Sequence, residues 1–143
     1  MGYDMTDTTT QASRPLQIAF VTGAAQGIGL ATVERLARDG MRVVGMDRHA
    51  ERLHQAMAQL ARLGLDVMGA AVDVCDRASV IAALDAQPRV DVMVCAAGIY
   101  NDALFLDLTE DAFRSMLDVN VIGTFIPAQE AARRPYGCIM FSV

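Results

Sequence analysis

Residues 21–29, Val-Thr-Gly-Ala-Ala-Gln-Gly-Ile-Gly, restrict what this chain can fold into more than any other stretch. An apolar run, Ile18-Ala19-Phe20-Val21, precedes them and reads as a buried strand, and Leu30, Val33, Leu36 and Ala37 follow at helical spacing. Three glycines therefore stand on a strand-to-helix turn, the context that separates a phosphate-binding loop from a chance cluster of glycines. Gly23 lets the chain leave the strand in a conformation other residues resist. Gly27 lets backbone come close to a pyrophosphate, and Gly29 lets the new helix lie tight on the sheet. Ala25, Gln26 and Ile28 complete the loop. The helix N-terminus then offers unpaired N–H groups and a partial positive charge to an anion. A tight strand-to-helix turn without a ligand is the alternative.

The rest of the chain alternates in the same way. The pattern predicts a strand over 17–22, a helix over 27–39 stopped by Asp39-Gly40, and a strand from Arg42 to Met46 closed by Asp47. A helix over 49–63 carries Leu53, Met57, Leu60 and Ala61 on one face, with Gly64 after it. A strand over 66–72 and a short helix over 76–86 follow, the helix broken by Pro88, and then a strand from Val90 to Cys95. Thr109 reads as an N-cap, with Glu110 and Asp111 in the first turn where the dipole favours them. In the helix that follows, Phe113, Met116, Leu117, Val121, Thr124 and Phe125 recur at helical spacing, and Pro127 is expected to kink or break it. A last strand is predicted over 138–142. Short, wholly apolar strands between amphipathic helices give parallel βαβ units in a sheet covered on both faces. Right-handed crossovers wind such units into a doubly wound parallel α/β sheet, here in the order 3-2-1-4-5. Residues 1–15 are polar and read as a disordered lead-in to one domain over 16–143.

A net charge of −5 argues against general affinity for nucleic acid or anionic membrane. No apolar run approaches the roughly 20 residues that span a bilayer, and the first 15 residues lack the apolar core of a signal peptide. Cys75, Cys95 and Cys138 are scattered, which suits a reducing cytosol better than a disulfide framework or a zinc site. The expectation is a cytoplasmic protein without a metal.

Asp47 ends the second strand, where a ribose would arrive if a pyrophosphate sat on Gly27 to Gly29. A carboxylate there accepts hydrogen bonds from two ribose hydroxyls and repels a 2′-phosphate, so it favours NAD over NADP. Gln26 is uncharged and places no cation to recruit that phosphate, while Arg48 softens the preference by turning over the site. Asp47 also reads as the N-cap of the helix after it, and the two roles can coexist. Asp73-Val74 ends the third strand, beside where an adenine would lie; Asp73 reads as an acceptor for the exocyclic amine or as a helix cap, and Val74 as cover for the ring. Cys95-Ala96-Ala97-Gly98 ends the fourth strand with residues small enough to admit a ribose, or forms a plain turn. Asn120 interrupts an apolar helical stripe, and a buried amide needs partners. It reads equally as an organiser of the active site and as a partner for a neighbouring loop. His49 and His54 cannot share one helix face as metal ligands do and read as solvated. Tyr100 and Tyr136 are the candidate phenols, but the chain contains no lysine to depress a pKa of about 10.

These residues resemble the short-chain dehydrogenase/reductase family. The resemblance rests on Thr22-Gly23-Ala24-Ala25-Gln26-Gly27-Ile28-Gly29, Asp47, Asp73-Val74, Cys95-Ala96-Ala97-Gly98, Asp118-Val119-Asn120-Val121 and Gly137-Cys138-Ile139-Met140, in the family's order and over nearly all of 16–143. It implies a Rossmann-like fold that binds NAD, with pyrophosphate on the glycine loop, ribose on Asp47 and adenine by Asp73. It also implies that Asn120 is the active-site Asn that helps hold a proton-relay water. The family usually carries Asn at the position of Cys95 and often at that of Ala96. Its catalytic Ser and its Tyr-x-x-x-Lys helix would follow the last strand, about where Val143 stands, so the 143 residues resemble its cofactor-binding half.

Two functions follow. One is an NAD-dependent oxidoreductase moving hydride between nicotinamide and a secondary alcohol or its ketone. Alcohols, sugars and cyclic diols such as a dihydrodihydroxybenzoate fit better than NADP-dependent fatty-acid reduction. The other is a truncated, inactive nucleotide-binding fragment. The resemblance further implies a small-molecule substrate and a homo-oligomer, a dimer or tetramer, in which the helix after Thr109 packs on its copy.

Overall fold

Parallel hydrogen bonding joins β1 (Ile18–Thr22) to both β2 (Arg42–Asp47) and β4 (Val92–Cys95), and extends the sheet to β3 (Val67–Ala71) and β5 (Ile139–Ser142). The strand order is β3-β2-β1-β4-β5, the order expected from the sequence. The computed structural model describes residues 15–134 and 139–142; most of the expected lead-in, together with Tyr136, Cys138 and Val143, lies outside the described residues. Between the strands run α1 (Gly27–Arg38), α2 (Ala50–Arg62) and α3 (Arg77–Asp85); after β4 come α4 (Glu110–Leu117) and α5 (Gly123–Ala132), joined by a single π-helical stretch, Asp118–Ile122.

Alternate residues of β1 feed opposite faces of the sheet. Ile18 and Phe20 join Met46, Val80, Leu84, Met93 and Ile126 on the side of α3 and α5. Ala19 and Val21 join Val33, Leu53, Met57 and Val94 under α1 and α2. That period-two split is what a sheet covered on both faces demands. Burying each of these large side chains contributes roughly 1.5–3 kcal/mol.

β3 departs from the expectation of full cover. It is an edge strand, α2 packs against it, and Met68 stays 41% exposed. β4 starts later than expected because the chain before it is held by a side chain: buried Asp91 accepts the Ile18 N–H at 2.8 Å and pairs with Arg89. Thr109 caps α4 as expected, accepting the Ala112 N–H at 3.2 Å. The break expected at Pro127 falls elsewhere. Pro127 is buried inside a continuous α5, and the register slips one turn earlier, where the Gly123 N–H reaches the Asp118 carbonyl. The apolar stripe of that helix also faces outward, with Phe113, Leu117, Val121, Ile122 and Phe125 all exposed. Among the described residues no helix is long and apolar enough to cross a membrane.

Candidate functional site

The glycine loop leaves β1 with each glycine in a distinct setting. Gly23 has φ +67°, and a Cβ on it would stand 2.7 Å from the Ala96 carbonyl oxygen. A Cβ on Gly29 would stand 2.1 Å from the carbonyl oxygen of Gly23, so α1 can start this close to the loop only without a side chain there. Gly27 has φ +56°, and a Cβ on it would meet nothing within 4 Å. Its conformation suits glycine while the space beside it is open. Gln26, the α1 N-cap, makes no side-chain cap bond, and the first turn holds no acidic residue. The first-turn N–H groups thus have neither a helical partner nor a competing carboxylate, which makes them donors to an anion.

A cleft of about 430 Å³ opens where the carboxyl ends of β1 to β4 meet. Gly23, Gln26, Gly27, Ile28 and Gly29 form its floor; Asp47 and Arg48 come from β2, Asp73 and Val74 from β3, and Ala96, Ala97 and Gly98 from β4. Ala25 alone of the expected cofactor residues is set back, buried behind the loop. Its N–H donates to Asp47 Oδ2 at 3.1 Å. His49, Val72, Ile99 and Val119 also line the cleft, although none was expected as a cofactor residue. A more open hollow of about 540 Å³ adjoins it, sharing Arg48 and His49 and reaching Arg52.

Neither aspartate is a helix cap. Asp47 Oδ1 accepts the His49 N–H at 2.9 Å, but the N-cap of α2 is His49 itself. Asp73 Oδ1 accepts the Cys75 N–H at 2.9 Å, and the N-cap of α3 is Asp76, which accepts from Ala78 at 3.1 Å. Gln26, read as bringing no cation to the loop, does bring one: its Oε1 accepts from Arg52 Nη1 at 2.7 Å.

Thr22 is a site residue that sequence reasoning missed. Its buried hydroxyl accepts the N–H groups of Ala96 and Ala97 at 3.0 and 3.1 Å, fixing the turn after β4 against the glycine loop. Thr22→Val leaves both donors without that acceptor, and the expected loss is about 2 kcal/mol. Urea unfolding should show a lower midpoint at unchanged slope, with Thr22→Ser close to wild type.

Asn120 lies at the centre of the π-helical stretch, a geometry frequent at functional sites. It is exposed rather than buried. Both ends of its amide are nevertheless bound: Oδ1 accepts the Ile99 N–H and Nδ2 donates to the Ile99 carbonyl, each at 2.8 Å. Asn120 therefore stands behind the cleft wall and holds Ile99 in it. Two thiols flank the stretch. Cys75 Sγ donates to the Asp118 carbonyl at 3.3 Å, and Cys95 Sγ to that of Thr124 at 3.7 Å. Burial raises the pKa of Cys75, helped by the negative charges of Asp73 and Asp118. A thiol so held stays protonated at neutral pH and serves as a donor rather than a nucleophile. Among the described residues no three His, Cys, Asp or Glu side chains are grouped to hold a metal ion.

Residues 17–137 match the model of the short chain dehydrogenase family. The chain is 36% identical over 141 residues to short-chain reductase protein NovJ of Streptomyces niveus, covering 93% of this chain and 54% of that protein. It is 38% identical over 122 residues to D-threitol dehydrogenase of Mycolicibacterium smegmatis, covering 82% and 47%. The crystal structure of gox2181 superposes with a TM-score of 0.85 at 31% identity, over 90% of this chain and 53% of that one. The chain spans about half the length of the relatives it matches. With its sheet order, its glycine loop and this match, the chain belongs to the short-chain dehydrogenase family.

Proposed function

We propose that the cleft binds NAD(H) as part of an oxidoreductase that moves hydride between the nicotinamide and a secondary alcohol or its ketone. The observation that carries this reading is the open, left-handed Gly27 beside an uncapped α1 N-terminus, with Asp47 on the same cleft. Gly23, Gly27 and Gly29 make a cradle in which side chains would occupy the place of a pyrophosphate or push the loop apart. The first-turn N–H groups, with Ile28 and Gln26 beside them, would hold its oxygens. Asp47 would accept from the adenosine ribose, Asp73 from the adenine amine, and Val74 would cover the ring. Ala96 to Gly98, held by Thr22, would take the second ribose. When bound, the nicotinamide supplies the hydride acceptor or donor. Asn120 would act from behind Ile99, as an organiser of that end of the cleft. The likeness to D-threitol dehydrogenase supports a diol or sugar alcohol, cyclic diols included, as the substrate class.

Calorimetric titration tests this. Wild type should bind NAD saturably, and Asp47→Ala should weaken it at least about tenfold, the equivalent of 1.4 kcal/mol. Asp47→Asn keeps an acceptor for the Ala25 N–H and removes the charge. It should hold the loop and narrow the gap between NAD and NADP. NAD binding unchanged in a folded Asp47→Ala chain would contradict the reading.

Arg52 on Gln26, with Arg48 beside it, supports a second cofactor reading in which NADP is also accepted. A second functional reading is nucleotide binding without turnover. The 143 residues hold no lysine, so the tyrosine–lysine pair that the resemblance implies is not among them. Loss of NADH absorbance with a ketone separates the two. The exposed face of Phe113, Leu117, Val121 and Phe125 supports self-association through α4 and α5. A cytoplasmic location is part of the same proposal.

A further inference from the structure

The contact between Gly123 and Val74 joins the helix bend to the adenine end of the cleft, and we propose that Gly123 is a positioning residue for that wall. The proposal rests on the nucleotide reading above. Gly123 is buried at the first position of α5, immediately after the π-helical stretch. A Cβ on it would stand 2.6 Å from Val74 Cγ2. Val74 is 7% exposed and lines the cleft together with Val72 and Asp73 of the same β3–α3 loop.

The next residue makes a second tie at the same place. The Asp118 carbonyl accepts both the Gly123 N–H of the slipped helix register and the Cys75 thiol. The adenine-side loop is therefore fastened to the bend at adjacent residues, 74 by packing and 75 by a hydrogen bond. Val74 has little room to yield. A β-branched side chain has few χ1 states, and Cys75 and the Asp73 turn hold the loop on either side. A methyl group at 123 would push Val74 away from α5, and Val74 lines the cleft. A bare glycine at 123 is thus what lets Val74 lie back as a wall. The same bend carries Asn120, which holds Ile99 at another part of the wall. One helix irregularity thereby places both.

Binding of ADP-ribose to the full chain tests the proposal, by calorimetry on wild type, Gly123→Ala, Val74→Ala and the double variant. Gly123→Ala is expected to weaken ADP-ribose roughly tenfold, a penalty in the range of one overpacked methyl. Val74→Ala removes the obstructed atoms, so the double variant should return to the affinity of Val74→Ala alone. A loss of affinity that arose away from Val74 would not be rescued in this way. The Val74 methyl resonances of the ligand-free chain should also move in Gly123→Ala. Wild-type affinity in Gly123→Ala, or a double variant as weak as Gly123→Ala, would overturn the proposal. If Gly123→Ala does not fold, recovery of folding and binding in the double variant supports it, and failure to recover overturns it. A wild-type chain that takes no ADP-ribose overturns the nucleotide reading itself, while unmoved Val74 methyls overturn the Gly123 contact alone.

Discussion

Gly29→Ala should cost the protein about 3 kcal/mol or more, at or above the usual 1–3 kcal/mol for overpacking a core by one group. The added Cβ would stand 2.1 Å from the Gly23 carbonyl oxygen and 2.7 Å from its carbon. Neither partner is the flexible end of a side chain, so relief requires the start of α1 to move away from the loop. Gly23 cannot retreat, because it is itself pressed against Ala96 and Ala97. Thermal unfolding should show a large fall in midpoint. Gly27→Ala makes the instructive contrast: it meets no atom within 4 Å, so its cost is the left-handed backbone, about 1–2 kcal/mol. The two glycines of one motif should therefore separate, Gly29 failing in stability and Gly27 failing in nucleotide affinity. Equal melting points for the two variants would contradict this account of the loop.

Glu130→Ala should be the second large effect, and it lies far from the glycine loop. Glu130 is a buried carboxylate on α5 that pairs with Arg77 of α3 and with Arg133 at 2.7 Å, with Arg134 at 3.8 Å. Breaking a fully buried pair costs about 3–5 kcal/mol. Here the arginines are partly in water, and Arg134 keeps Asp85 at 2.5 Å, while Arg77 keeps Gln129 at 2.9 Å. The expected loss is therefore smaller, about 2–3 kcal/mol. It should appear in chemical denaturation, with Glu130→Gln losing less because it retains acceptor and shape. A loss below about 0.5 kcal/mol, the range of ordinary surface changes, would show that this cluster does not hold α3 to α5.

The features legible in the sequence are the local ones. The apolar runs, helical spacings and Thr109 cap act within a few residues, and they led to the five-stranded order and to most of the cleft wall. The glycine loop carries its geometry in its own residue types, which is why Gly23, Gly27 and Gly29 stand where expected. What was not legible depends on partners distant in sequence. Thr22 meets Ala96 and Ala97, Asp91 meets Ile18, and Gln26 meets Arg52 only once the sheet is assembled. The openness of β3 reflects its place at the edge, which an apolar run does not encode. The stripe on α4 and α5 has the spacing of a core helix, yet it faces outward. Periodicity reports that a face is apolar and not what covers it. Pro127 signalled a break, but the register slip at Asp118–Ile122, one turn upstream, took its place.

The most direct test of the nucleotide cleft is a map of backbone amide shifts on titrating the full chain with NAD. The account predicts that the largest changes fall on Gln26 to Leu30, Asp47 to His49, Asp73-Val74 and Ala96 to Ile99, and that they saturate together. Changes confined to the neighbouring hollow at Glu51, Arg52 and Gln55, or a folded chain in which no amide moves, would contradict it.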